Sequence, residues 1–69
     1  MLSARNQLKG TVARVNRGTA VCSVTVELDG GQEIVSTITV ESFDRMGLSI
    51  GSPVAAVVKA SNVILATEP

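Results

Sequence analysis

In two segments of the chain, side chains alternate with a two-residue repeat, the period of strands with one buried face. The clearest run sets Cys22, Val24, Val26 and Leu28 against Val21, Ser23, Thr25 and Glu27. Ile34, Ser36, Ile38 and Val40 alternate in the same way with Glu33, Val35, Thr37 and Thr39, which predicts another strand. Ahead of both, Leu8–Val15 is rich in β-formers, and Gly10 inside it marks a bulge or a close backbone approach. Asn16-Arg17-Gly18 and Asp29-Gly30-Gly31 separate these runs and carry residues that tolerate the positive φ of hairpin turns.

After the third strand the period changes. Glu41–Met46 suits one or two helical turns starting near Thr39 or Val40, with Glu41 and Asp44 complementing the N-terminal dipole and Gly47 placed to end it. Ile50-Gly51-Ser52-Pro53 reads as a turn. Val54–Lys59 is an uninterrupted apolar run, the signature of a strand buried on both faces. Ala60-Ser61-Asn62 breaks that run, and Val63–Thr67 reads as a last strand. The expectation is therefore an all-β chain, a five-stranded OB-like barrel with one short helix between the third and fourth strands. With no internal repeat, low-complexity tract or linker, residues 1–69 read as one domain.

Length changes the picture. A 69-residue chain hides only about 60% of the surface its unfolded form exposes, so it needs support beyond its own core. Cys22 is the one cysteine and histidine is absent, which excludes an intrachain disulfide and leaves too few ligands for a Cys/His zinc site. The chain is nevertheless 45% hydrophobic, supplied mainly by aliphatic residues, with Phe43 its one aromatic. That balance favours a homo-oligomer that buries aliphatic surface between copies. Residues 1–7 lack the apolar run of a signal peptide, and no stretch approaches the ~20 apolar residues that cross a bilayer. An unpaired cysteine fits a reducing compartment. These features predict a cytoplasmic protein without membrane contact.

The formal net charge is zero, but the charges are segregated. Arg5, Lys9, Arg14 and Arg17 precede every acid; Glu27, Asp29, Glu33, Glu41 and Asp44 follow with no base among them; Lys59 stands near the end. Two readings stay open: solvated faces of strands and turns, or a basic region that attracts small anions.

The missing histidine removes Ser–His and Cys–His pairs and the usual proton carrier near neutral pH, so no enzyme is expected. Cys22 shares its strand face with Val24 and Val26 and reads as a buried structural thiol. An OB-like barrel that binds single-stranded nucleic acid needs a positive groove and aromatic stacking platforms. One phenylalanine and no net charge argue against that partner. An oxyanion asks for donors instead: backbone N–H groups, hydroxyls and one or two cations. Ser3-Ala4-Arg5-Asn6 and Lys59-Ala60-Ser61-Asn62 each combine a hydroxyl, a small alanine, a cation and an asparagine at a strand end. Polar loop composition accounts for either segment taken alone.

Together these segments resemble the Mop domain, the molybdate-binding module of the molbindin or TOBE-like family. The likeness rests on Ser-Ala-Arg-Asn-Gln-Leu-Lys-Gly at 3–10, the strands around 21–28 and 34–40, Gly51 leading into Val54, and Val-Lys-Ala-Ser-Asn-Val-Ile-Leu-Ala at 58–66. It runs in order through essentially the whole chain. The resemblance implies a barrel subunit of a homohexamer, a trimer of dimers, with molybdate or tungstate bound at subunit interfaces by main-chain amides, hydroxyls and Lys or Arg. Carried over by motif, the ligand set is Ser3, Arg5 and Asn6 from one subunit and Lys59, Ala60 and Ser61 from another. Thr19 and Ala20, in the turn before the second strand, are further candidates. With neither a P-loop nor a helix-turn-helix segment in the chain, the resemblance implies the stand-alone form that stores or buffers the oxyanion. The alternative from another class is an oligomeric β-barrel interaction module without a dedicated ligand.

Overall fold

The computed structural model describes residues 6–68. Its elements are β1 (Asn6–Arg17), β2 (Val21–Leu28), β3 (Glu33–Thr39), α1 (Val40–Met46), β4 (Pro53–Val58) and a 3-10 turn at Ala60–Asn62. The strands form one antiparallel sheet in the order β3-β2-β1-β4. The first four expected strands and the short helix between the third and fourth are present.

The curl of the sheet originates in β1. Its first half pairs with β4, Asn6 opposite Val58 through Thr11 opposite Pro53. Its second half pairs with β2, Gly10 opposite Leu28 through Arg17 opposite Cys22. Only Gly10 and Thr11 have partners on both sides, so the strand bends where the two ladders overlap. Gly10 is the close approach anticipated above: a Cβ there would overlap the Glu27 carbonyl oxygen and sit 2.9 Å from Val26 Cγ1. The bulge lies further on, where the register slips between Val12 and Arg14 and adds local twist.

The inward positions Val12, Cys22, Val24 and Val26 form the buried core with Phe43, and Val15, Leu28, Ile34, Ile38, Val40, Leu48 and Val54 pack against it half-buried. Cys22 is a buried free thiol, as its strand face predicts. Helix α1 carries Phe43 onto the core. Thr39 caps its start by accepting a hydrogen bond from the Ser42 N–H at 3.0 Å. Gly47 ends it in the left-handed region at φ 66°, its N–H donating to the Asp44 carbonyl.

Ion pairs tie the outer surface together. Arg17 donates two hydrogen bonds to Asp44, at 2.8 and 2.9 Å, while its guanidinium lies 5.8 Å from the Phe43 ring centre. The same bonds hold the Asp44 carboxyl below the usual carboxylate range. Arg14 reaches from β1 over β2 to Glu33 at 2.8 Å, above Thr25, which is buried on the sheet's outer face.

Two expectations fail. Val63–Thr67 is not a strand: after the 3-10 turn the chain continues without sheet pairing, and Ile64 and Leu65 are 92% and 90% exposed. The barrel therefore has four strands rather than five. A β-rich pattern becomes a strand only where a ladder partner is available, and the described residues of one chain supply none. Nor is β4 buried on both faces. Its exposure alternates along its length, and Val57 is half exposed. Among the described residues the edges of β3 and β4 carry no further strand, and an apolar groove of about 260 Å³ runs between them.

Candidate oxyanion site

The register of β1 against β4 brings two of the predicted segments together. Because Asn6 lies opposite Val58, the chain passes from the end of β4 into Lys59-Ala60-Ser61 beside the start of β1. Asn6, Leu8, Ile34, Val58, Ala60 and Val63 line a depression at this mouth of the barrel. Of the residues carried over by motif, Asn6, Lys59, Ala60 and Ser61 thus share one end of the sheet. Ser3 and Arg5 lie outside the described residues.

The 3-10 turn presents donors there. Within it the Asn62 N–H donates to the Lys59 carbonyl at 2.9 Å and the Val63 N–H to the Ala60 carbonyl at 3.3 Å. The Ala60 and Ser61 N–H groups make no hydrogen bond among the described residues. Lys59, Ala60 and Ser61 are all exposed. Two N–H groups without a partner among the described residues, a hydroxyl and an ammonium within three consecutive residues are the donor chemistry that a fully ionised oxyanion requires.

Thr19 and Ala20 are elsewhere. They form the turn between β1 and β2, beyond the far end of β1 from Asn6. Twelve residues of strand, about 36 Å of chain path, separate the two places. Ala20 is partly committed, its carbonyl accepting the Val40 N–H at 2.9 Å at the start of α1. A single chain therefore does not join Thr19 and Ala20 to Lys59.

Charge pairing accounts for part of the basic segment among the described residues. Arg14 is held by Glu33 and Arg17 by Asp44, and each pairing raises the arginine pKa, the hydrogen bond being the larger cause. Arg45 faces Glu41 one helical turn away, at 3.6 Å. Lys9 and Lys59 are in no ion pair among the described residues. Arg14 and Arg17 thus serve the fold, while Lys59 is available to an anion. Among the described residues no group of three or more His, Cys, Asp or Glu side chains is arranged to hold a metal ion. No helix among them is long and apolar enough to cross a membrane.

Sequence reasoning missed the apolar wall of the mouth. The two-residue period puts Leu8 and Val58 on the inner face with Asn6, so those two were within reach. Ile34 arrives only because the sheet curls.

The chain matches the TOBE domain family over residues 2–65. It is 39% identical over 64 residues to molybdenum-pterin-binding protein 2 of Clostridium pasteurianum, covering 93% of this chain and 94% of that protein. It is 42% identical over 66 residues to the molybdenum transport protein ModE of Herbaspirillum seropedicae, covering 96% of this chain but only 24% of ModE. The fold is similar to that of the cytoplasmic molybdate-binding protein ModG with molybdate bound. There the TM-score is 0.89 at 48% identity, over 93% of this chain and 45% of that one. With a family match through nearly all its length and a relative of almost its own size, the chain belongs to the TOBE domain family.

Proposed function

We propose that residues 1–69 act as a Mop domain that binds molybdate, or tungstate, reversibly between the subunits of a homo-oligomer and holds the ion in the cytoplasm as a store or buffer. The observation that carries this reading is the β1–β4 register, which sets Asn6 beside Lys59, Ala60 and Ser61 at one mouth of the barrel. ModG, nearly half identical to this chain where they align, is described as a cytoplasmic molybdate-binding protein and has been seen with molybdate bound, which supports both ligand and compartment.

An interface site follows from the separation of the donors. Thr19 and Ala20 join Lys59 only if a neighbouring subunit brings its β1–β2 turn to the mouth. Ser3 and Arg5 complete the set in this reading. The exposed apolar side chains of Val57, Ile64 and Leu65 support assembly of copies, with the hexamer the form that the family resemblance favours.

Selectivity would come from the donors. A site offering only N–H, O–H and ammonium groups leaves the hydroxyl of protonated phosphate without an acceptor, a cost that doubly ionised molybdate avoids. Side-chain truncation tests the assignment. Lys59→Ala and Ser61→Ala each remove a donor or charge from an exposed position, so both should weaken molybdate binding about tenfold or more, as expected for a lost charge-assisted hydrogen bond, with assembly unchanged. Calorimetric titration beside light scattering reads both. Wild-type affinity in both variants would refute the ligand assignment. A stoichiometric protein partner recovered together with no oxyanion binding would favour the interaction-module alternative.

A further inference from the structure

We propose that Asp29-Gly30, in the turn between β2 and β3, is a site of spontaneous backbone modification. It cyclises to an imide and reopens in part as an isoaspartyl linkage that loosens the turn. The proposal is independent of the oxyanion reading.

The chain holds two aspartates and three asparagines, and of these five only Asp29 is followed by glycine. A peptide nitrogen attacks the carboxyl of the preceding residue most freely when its own residue carries no side chain, and glycine has none. Asn6, Asn16, Asp44 and Asn62 precede Gln7, Arg17, Arg45 and Val63 instead. Asp29 and Gly30 are both exposed. The Asp29 carboxylate enters no hydrogen bond or ion pair among the described residues. Asp44, by contrast, sits in α1 with both carboxylate oxygens taken by Arg17. The nucleophile is equally free: the Gly30 N–H donates to no acceptor among the described residues. The space beside it is open, since a Cβ on Gly30 would meet only Gln32 Oε1, at 3.8 Å.

In the first step the Gly30 nitrogen bonds to Cγ of the protonated Asp29 carboxyl, whose hydroxyl leaves with the N–H proton as water. A second water then opens the ring. Cleavage of the new N–Cγ bond restores Asp29. Cleavage of the original bond, between the Asp29 carbonyl carbon and the Gly30 nitrogen, leaves the main chain running through the side chain, with the α-carboxylate free. Water is lost once and regained once, and nothing is oxidised or reduced. The product has one more carbon in the backbone, at a place that has little slack. The Leu28 N–H donates to the Gln32 carbonyl at 2.7 Å and the Gly31 N–H to the Leu28 carbonyl at 2.9 Å, with Gly31 at φ 90°. Both bonds close around the Asp29–Gly30 link, so the added carbon pulls them out of register. The Asp29 N–H also ties the turn to β1 through the Lys9 carbonyl, at 3.2 Å.

Peptide mapping with isoaspartate-specific methylation tests the site, on native protein kept for weeks at neutral pH and physiological temperature. Isoaspartate should accumulate at position 29 and not at Asp44, beside a minor species lighter by one water. Gly30→Ala should lose the signal while keeping the fold, since its added methyl meets only the end of Gln32. The isoaspartyl fraction, separated by chromatography, should melt about 5 °C below fresh protein, as for one weakened turn hydrogen bond. Should the aspartyl reaction be too slow to follow, Asp29→Asn forms the same imide faster, releasing ammonia in place of water, and is read by its gain in mass. Imide chemistry that occurs only in urea-unfolded protein, or equally in Gly30→Ala, would overturn the site. An isoaspartyl fraction that melts with the fresh protein would overturn the loosening of the turn.

Discussion

Gly10→Ala should destabilise the protein by about 3 kcal/mol, the upper end of the cost of forcing an extra group into a packed site. The added Cβ would overlap the Glu27 carbonyl oxygen and lie 2.9 Å from both the Glu27 carbonyl carbon and Val26 Cγ1. Two of these three atoms are backbone, held in place by the β1–β2 ladder, so they cannot turn aside as a long side chain can. Gly10 is also one of two residues paired with both β2 and β4, and relief at this point must disturb two ladders together. For a domain of this size the loss corresponds to a fall in melting temperature of about 12 °C or more. Gly30→Ala is the matched control. A Cβ there meets only the far end of Gln32, at 3.8 Å, and its melting temperature should stay within a few degrees of wild type. Equal melting temperatures for the two variants would show that the β1 bend does not depend on the missing side chain.

In the proposed homo-oligomer, replacing Ile64 and Leu65 together with aspartate should convert the assembly to monomers without unfolding the subunit. Both side chains are more than nine-tenths or close to nine-tenths in solvent in the single chain, so the subunit fold loses no packing when they change. Where two copies of the proposed homo-oligomer bury both side chains, four are covered per pair of chains. At about 1.5–3 kcal/mol for each large aliphatic group, their loss removes on the order of 6 kcal/mol or more from assembly. That raises the dissociation constant by about four orders of magnitude, before the cost of burying the new charges. Light scattering should report the mass of one chain, with the β circular-dichroism signal retained. A double variant of wild-type mass would mean that copies associate through another surface.

The contrast between these two positions shows what the chain's local pattern can and cannot reveal. The strand faces, the α1 caps and the buried Cys22 were legible because each depends on neighbours within a few residues: a two-residue period, Thr39 before the helix, Gly47 after it. The last strand was not, because Val63–Thr67 has the composition of a strand but no ladder partner among the described residues, and pairing is not a local property. The two-sided burial expected of β4 failed for the same reason, since its outer edge and outer face have no neighbour among the described residues. Ion pairing was equally invisible. Arg14 and Arg17 find their acids 19 and 27 residues away, so the basic run at the start of the chain read as a candidate anion-attracting region until the fold paired it.

The site was legible as two segments but not as one place. Nothing in Asn6 or in Lys59-Ala60-Ser61 announces that they lie side by side; the β1–β4 register does that. Thr19 and Ala20 show the converse. Their composition suits an anion as well as that of the other segments, yet β1 holds them at its opposite end. In the proposed function, a donor set divided in this way makes assembly part of the binding chemistry.

The most direct test of molybdate binding is equilibrium dialysis of the purified protein against molybdate, with sulfate and phosphate as competitors. The expected result is saturable molybdate uptake that excess phosphate does not displace. Absence of saturable uptake by the assembled protein, or full displacement by phosphate, would contradict it.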